Sequence, residues 1–252
     1  MQRAFNTLAA VALGLAAGTA SAEITGTHVE YEADGTVFEG YYVRNTDLDE
    51  ARGTVLIVHD WDGMTGYEER RAEMLAAQGY AVFALDVFGK EEDPQSVEEY
   101  RALSGAMYED REAFRTRLLA GLEAARAQEG ATRDVVVMGY CFGGAGTLEM
   151  ARAGADAAGF VSFHGGLGTP EGQGYDGQEA PVLLLHGSAD PVSGMADLAT
   201  LLDELQAADV PHAARVFGGA RHSFTVWGSD DYDLEADRGS WQALTEFLDS
   251  TF

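Results

Sequence analysis

The stretch Gly139-Tyr140-Cys141-Phe142-Gly143 sets the only cysteine of the chain between two glycines. It follows the apolar run Asp134-Val135-Val136-Val137-Met138 and precedes small residues able to start a helix. A strand that turns directly into a helix holds its middle residue in a strained conformation. Glycines two before and two after remove the side chains that would collide there. The chemistry such a turn serves is nucleophilic attack. A helix N-terminus behind the thiol is expected to lower its pKa and to aim N–H groups at a developing oxyanion. A lone cysteine also has an inert reading, as a small buried hydrophobe. Its company argues for the reactive one: Asp190 ends His186-Gly187-Ser188-Ala189-Asp190, and His222 lies in Ala220-Arg221-His222-Ser223-Phe224. A thiol, an imidazole that can take its proton and a carboxylate that can orient the imidazole form a complete set for acyl transfer.

The elements that must bring these residues together are legible as alternating runs. Continuous apolar segments read as parallel strands buried on both faces: Thr54 to Val58, Ala81 to Leu85, Asp134 to Met138, Gly159 to Phe163 and Pro181 to Leu185, with Ala213 to Phe217 less clear. Longer stretches between them carry helical spacing, as in Leu198, Leu201, Leu202 and Leu205, and in Trp241, Leu244 and Leu248. His28 to Val43 reads as an antiparallel hairpin turning at Asp34-Gly35. The fold class is therefore α/β, a mostly parallel doubly wound sheet with an N-terminal antiparallel hairpin. Ligands then belong at the C-terminal ends of the strands. Polar and glycine residues collect just past those ends, at His59-Asp60-Trp61-Asp62-Gly63, Asp86 to Lys90, the Cys141 turn, His164-Gly165-Gly166 and the Asp190 loop. The chain order of nucleophile, acid and histidine is that of an α/β-hydrolase fold.

Gly-Tyr-Cys-Phe-Gly-Gly, His-Gly-Ser-Ala-Asp-Pro-Val and Ala-Arg-His-Ser-Phe, in this order, resemble the dienelactone hydrolase family. The resemblance covers nearly all of the chain beyond its leader. It implies hydrolysis of an ester or lactone by Cys141, His222 and Asp190 through an acyl-enzyme. It also implies an oxyanion hole from the backbone N–H groups of Phe142 and Trp61. Asp60 stands where the family carries a glutamate that governs the resting nucleophile, and Lys90 where a substrate-carboxylate arginine is expected. A second such arginine is replaced by Val226. A point charge in place of a bidentate fork, and the loss of the other cation, lower the expected preference for carboxylate-bearing lactones in favour of neutral esters.

Several residues have two readings at this stage. His59 and His164 at strand ends either line the pocket or are hydrogen-bonded supports. His186 is expected to support the Asp190 loop, and Asp86 to tie the loop leading to Lys90. Trp61, Phe88, Tyr140 and Trp227 either wall an apolar acyl pocket or pack in the core. The segment Gly165 to Gln178 is either a lid or a connection. No cofactor is implied, and no metal, since neither a His-Glu-x-x-His nor a paired-cysteine spacing occurs.

Composition bounds the remaining possibilities. The 252 residues are 46% hydrophobic and 23% charged, which suits one domain with a full core. The formal charge is 16 − 42 = −26, and Lys90 is the only lysine. So negative a chain repels phosphate backbones and anionic lipid surfaces, which leaves a small-molecule ester or lactone as the expected partner. Arg3, the apolar run Leu8 to Ala17 and Ala20-Ser21-Ala22 read as a secretory signal cut before Glu23, giving a bacterial periplasmic or secreted domain over 23–252. About ten apolar residues are too few for a membrane anchor, which needs about twenty. Two other function classes stand beside the hydrolase: a ligand-binding version of the fold without turnover, and a redox thiol, which would lack a resolving cysteine. The sequence sets no oligomeric state.

Acidic surfaces poor in lysine suit salty surroundings, where the screening length shrinks to about 3 Å at 1 M salt. The melting temperature is therefore expected to rise with added NaCl. Calorimetry from low to molar salt checks this, and a falling Tm would contradict it.

Overall fold

Eight strands form one sheet in the order β1-β2-β4-β3-β5-β6-β7-β8 in the computed structural model, which describes residues 23–252. The expected leader and its cleavage point lie outside the described residues. β1 (Ile24–Ala33) and β2 (Thr36–Asn45) are the hairpin, and Asp34 and Gly35 both take positive φ, 47° and 76°. That is the backbone a two-residue hairpin turn needs. β2 also runs antiparallel to β4 (Ala81–Leu85), while β3 (Thr54–Val58), β5 (Val135–Tyr140), β6 (Gly159–Phe163), β7 (Val182–Gly187) and β8 (His212–Phe217) pair in parallel. The three runs Thr54 to Val58, Ala81 to Leu85 and Gly159 to Phe163 match their strands end to end. β5 and β7 start one residue late and run two residues further toward the site.

Helices cover both faces, so the central strands are buried throughout. On one face α1 (Gly66–Ala76) and α6 (Leu234–Thr251) pack Leu75, Leu244 and Leu248 against Val55, Ile57 and Val161. On the other, α3 (Arg111–Arg126), α4 (Phe142–Arg152) and α5 (Met195–Ala207) pack Phe114, Leu118, Leu148 and Leu201 against Leu56, Val58 and Val137. α2 (Val97–Glu109) crosses above the strand ends. It stops at Asp110, whose carboxylate caps α3 by accepting from the Ala113 N–H at 3.0 Å. Among the described residues no helix is long and apolar enough to cross a membrane.

The segment from Gly165 to Gln178 is pinned as a connection. Arg152 of α4 donates to the Gln173 side chain and to the Tyr175 hydroxyl, each at 2.8 Å, and Gln178 donates to the Ala151 carbonyl at 3.0 Å. Arg152, Arg111 and Arg115 all hold the fully buried Glu149, at 2.9, 3.0 and 2.7 Å. Burial alone would favour a neutral Glu149, but these guanidiniums keep its carboxyl below the usual range. Removing that carboxylate leaves three arginines without their shared anion. Glu149→Ala is therefore expected to cost about 3 kcal/mol, from the penalty of uncompensated buried charge, and to expose the 165–178 segment to protease. Urea unfolding and limited proteolysis read the two effects.

Candidate active site

The sharp turn between β5 and α4 places Cys141 at φ +49° and ψ −107°. Little but glycine fits around it. A Cβ on Gly139 would lie 2.2 Å from the Gly143 carbonyl oxygen, and one on Gly143 would lie 2.1 Å from the Val58 carbonyl oxygen. The close approach seats α4 on β3 and β5 and presents the Cys141 side chain at the sheet edge. β7 leads into the turn bearing Asp190, and the loop after β8 carries His222.

These three residues meet. His222 Nε2 lies 3.0 Å from Cys141 Sγ, and His222 Nδ1 lies 2.8 Å from Asp190 Oδ2. With Nδ1–H donating to the carboxylate, Nε2 presents its lone pair to the thiol. Burial works against the Asp190 anion, but the hydrogen bond from His222 and those from the Ser193 and Val192 N–H groups outweigh it and hold its carboxyl below the usual range.

The thiol departs from expectation. Burial pushes its pKa well up and the Asp60 carboxylate beside it pushes further, so the helix N-terminus and the Phe142 N–H do not prevail. At neutral pH the resting sulfur is a thiol that needs a base to become a nucleophile.

Asp60 and Trp61 follow β3. The Trp61 N–H, expected to face an oxyanion, donates instead to Asp60 Oδ1 at 2.5 Å. Burial and the neighbouring Asp62 raise the Asp60 pKa to about 6, against the lowering effect of the Trp61 N–H. Behind it sits Glu68, fully buried and pushed up to about 8, chiefly by burial. Glu68 accepts from the Asp60 N–H at 3.3 Å and from the Thr65 N–H and hydroxyl at 3.0 and 2.7 Å, tying the Asp60 loop to the start of α1. Sequence reading passed over Glu68, although Thr65 and Glu68 have the spacing of a capping box.

His59 and Lys90 are not among the residues that line the Cys141 cavity. His59 is fully buried as a structural link, with Nδ1 2.5 Å from the Asp60 carbonyl and Nε2 accepting from the Val87 N–H at 3.1 Å. The Lys90 ammonium is held by Glu30, and by Glu39 at 3.1 Å. It lines a separate depression with Glu92 and Asp93. Asp86 ties that loop, accepting from the Phe88 and Gly89 N–H groups at 2.8 and 3.1 Å. His164 stands behind His222, ring centroids 5.5 Å apart, with Nε2 2.7 Å from the Thr225 hydroxyl. Burial holds it neutral, with the nearby His222 acting the same way. His186 is buried with neither ring nitrogen partnered by protein.

The cavity over Cys141 encloses about 370 Å³. Its apolar walls are Trp61, Tyr108, Phe142 and Val192. Phe88, Tyr140 and Trp227 lie elsewhere: Phe88 packs on His59, Tyr140 is fully buried against Phe163, and Trp227 covers the Arg71 guanidinium. Sequence reading missed Arg101, Ser104 and Tyr108 of α2, which line the cavity at helical spacing i, i+3, i+7. Among the described residues no three His, Cys, Asp or Glu side chains converge where a metal ion could be held.

The dienelactone hydrolase family model matches residues 38–252. The chain belongs to the dienelactone hydrolase family. It is similar to a dienelactone hydrolase-like promiscuous phosphotriesterase from metagenomic libraries, with 30% identity, a TM-score of 0.85, and coverage of 92% of this chain and 100% of that one. A Salmonella typhimurium protein provisionally named a carboxymethylenebutenolidase is 24% identical over 244 residues, covering 92% of this chain and 88% of its own. The dienelactone hydrolase of Anabaena variabilis shares the fold at 19% identity and a TM-score of 0.69, over 91% of this chain and 99% of that one. This member of the family is thus an α/β-hydrolase and a dienelactone hydrolase-like enzyme.

The raised Asp60 pKa has a definite sign for stability. The folded protein holds the Asp60 proton up to about pH 6, whereas an unfolded Asp releases it near pH 4. Stability from this group is therefore lost as pH rises from 4 through 6. Relative to wild type, Asp60→Asn is expected to gain up to about 3 kcal/mol above pH 6 and nothing below pH 4. Urea midpoints of both proteins at pH 4 and pH 7.5 check this.

Proposed function

We propose that this enzyme hydrolyses a carboxylic ester or lactone through a thioester acyl-enzyme on Cys141. The observation that carries the reading is the unbroken line of contacts from Sγ through the His222 ring to Asp190, at 3.0 and 2.8 Å. His222 Nε2 takes the thiol proton as sulfur attacks the carbonyl carbon. The Phe142 N–H receives the oxyanion, joined by the Trp61 N–H once the substrate oxygen has displaced the Asp60 carboxylate. As the C–O bond breaks, the imidazolium protonates the leaving alkoxide. Water then attacks the thioester and gives a proton to His222, and the C–S bond breaks with the proton returning to sulfur. Asp190 orients the ring and stabilises its cation throughout, keeping its own charge.

Catalysis under this reading needs the thiolate only when substrate is present, which fits a thiol raised by burial and by Asp60. The occupied Trp61 N–H is the one feature that favours a ligand-binding protein without turnover. We further propose, from residues 1–22 alone, that the enzyme works outside the cytoplasm after its leader is removed.

Turnover of simple aryl esters by residues 23–252 is expected to fall at least about 10³-fold in Cys141→Ala and in His222→Gln, the scale seen when a triad member is lost. Mass spectrometry of wild type during turnover is expected to trap an acyl group on Cys141. Equal turnover in Cys141→Ala would remove the thiol from the mechanism. No turnover in wild type would favour the binding reading.

A further inference from the structure

The His222 side chain makes two hydrogen bonds, both along the line from Cys141 to Asp190. Contacts at its two ring nitrogens leave the ring free to pivot about that line, so its pitch must be set from behind or through its own loop. Both routes lead to Thr225, three residues further along the loop and fully buried. The Thr225 carbonyl accepts from Arg71 Nη2 at 2.9 Å, and the Thr225 hydroxyl accepts from the Tyr67 hydroxyl at 2.9 Å, both partners belonging to α1. Thr225 Oγ1 also lies 2.7 Å from Nε2 of His164, just past β6. With Tyr67 donating to Oγ1, the Thr225 hydroxyl proton is left for Nε2, and His164 carries its own proton on Nδ1.

Packing alone does not account for His164. It is fully buried, its Nδ1 has no partner in the protein, and its backbone takes φ +38°. An unpaired buried donor and a left-handed backbone each cost stability that an apolar residue in relaxed geometry would spare. Cys141, just past the adjacent strand β5, shares that left-handed backbone. What the strained placement achieves is a wall behind the base: the His164 ring meets His222 at 5.5 Å and 60°, and is itself packed by Phe224 at 5.1 Å.

We propose that His164 and Thr225 are positioning residues for the reaction: the hydrogen bond between them fixes the pitch of the His222 ring, and so the approach of Nε2 to Sγ. The inference rests on the reading of His222 as the base for Cys141. Neither residue lines the Cys141 cavity, so their loss acts on the base and leaves substrate binding alone.

Thr225→Val keeps the shape of the side chain and deletes its hydroxyl, whereas Thr225→Ser keeps the hydroxyl. With 4-nitrophenyl acetate, kcat is expected to fall at least about tenfold in Thr225→Val, since a 1 Å misplacement can cost about 10²-fold. KM is expected to change less than about twofold, and Thr225→Ser to restore most of kcat. His164→Phe removes the same bond from its other end, so the double variant with Thr225→Val is expected to be no slower than the slower single one. Circular dichroism confirms that each variant is folded, and the two Thr225 variants suffice if His164→Phe is not. A wild-type kcat in Thr225→Val, a loss that Thr225→Ser does not restore, or single losses that multiply in the double variant overturns the proposal. A second readout needs no turnover and so separates this inference from the reading beneath it. Cys141 is the only cysteine, so its alkylation by iodoacetamide at pH 7, followed by mass spectrometry, reports how well His222 activates the thiol, with His222→Gln as the floor. A rate that drops toward that floor in Thr225→Val and recovers in Thr225→Ser supports the proposal even if no ester is cleaved. A rate that Thr225→Val leaves intact refutes it. A wild-type rate that does not depend on His222 removes the base itself, and the proposal with it.

Discussion

The backbone of Cys141 sits in a region of φ and ψ that an L-residue enters at a cost of order 1–3 kcal/mol. Everything at the sheet edge depends on holding it there. The restraint comes from both sides: β5 is paired to β3 and β6, and α4 is pressed so close that its first turn meets the carbonyl of Val58 with no room for a methyl group. A slacker turn would withdraw Sγ from His222 and swing the Phe142 N–H away from it. Sheet packing, which buries Leu56, Ile57 and Val137 completely, thereby becomes positional accuracy at one sulfur atom.

Charge organises the second layer. Asp190 is held ionised by three donors, whereas burial lifts Asp60 and Glu68 above the usual carboxyl range. The carboxyl that orients His222 and the carboxyl beside the thiol are thus shifted in opposite directions, one by donors and the other by burial. His164 adds a neutral ring behind His222, and its Thr225 partner is tied in turn to Tyr67 and Arg71. The imidazole is braced by groups that do not compete for its proton.

The fold was legible because its signals are periodic and local. Buried parallel strands must be apolar at every position, so Ala81 to Leu85 and Gly159 to Phe163 stand out unaided, and Asp34-Gly35 marks the hairpin. Cys141 and Asp190 were legible because each follows such a strand, whereas His222 follows the half-exposed β8 and was legible from its place in the chain order. The partners of Lys90 were not legible in sequence spacing: Glu30 and Glu39 come from the hairpin, and only their pairing across β1 and β2 brings two carboxylates to the ammonium. His59 likewise reads as a strand-end polar residue, yet its ring closes a hydrogen-bonded bridge inside the fold. Arg101 was hidden because α2 carries a weak apolar pattern. Its stripe of Arg101, Ser104 and Tyr108 faces a cavity, so the helix offers no run of leucines to mark which side looks inward.

The contact between Asp60 and the thiol bears on chemical endurance. Peroxides and disulfides react with thiolate far faster than with thiol. A sulfur kept protonated between encounters is a poor target for either, and with no second cysteine to capture a sulfenic acid, this chain has no route of its own back from oxidation. The Asp60 carboxylate that helps keep the Cys141 sulfur a thiol thereby also lessens its exposure to oxidation.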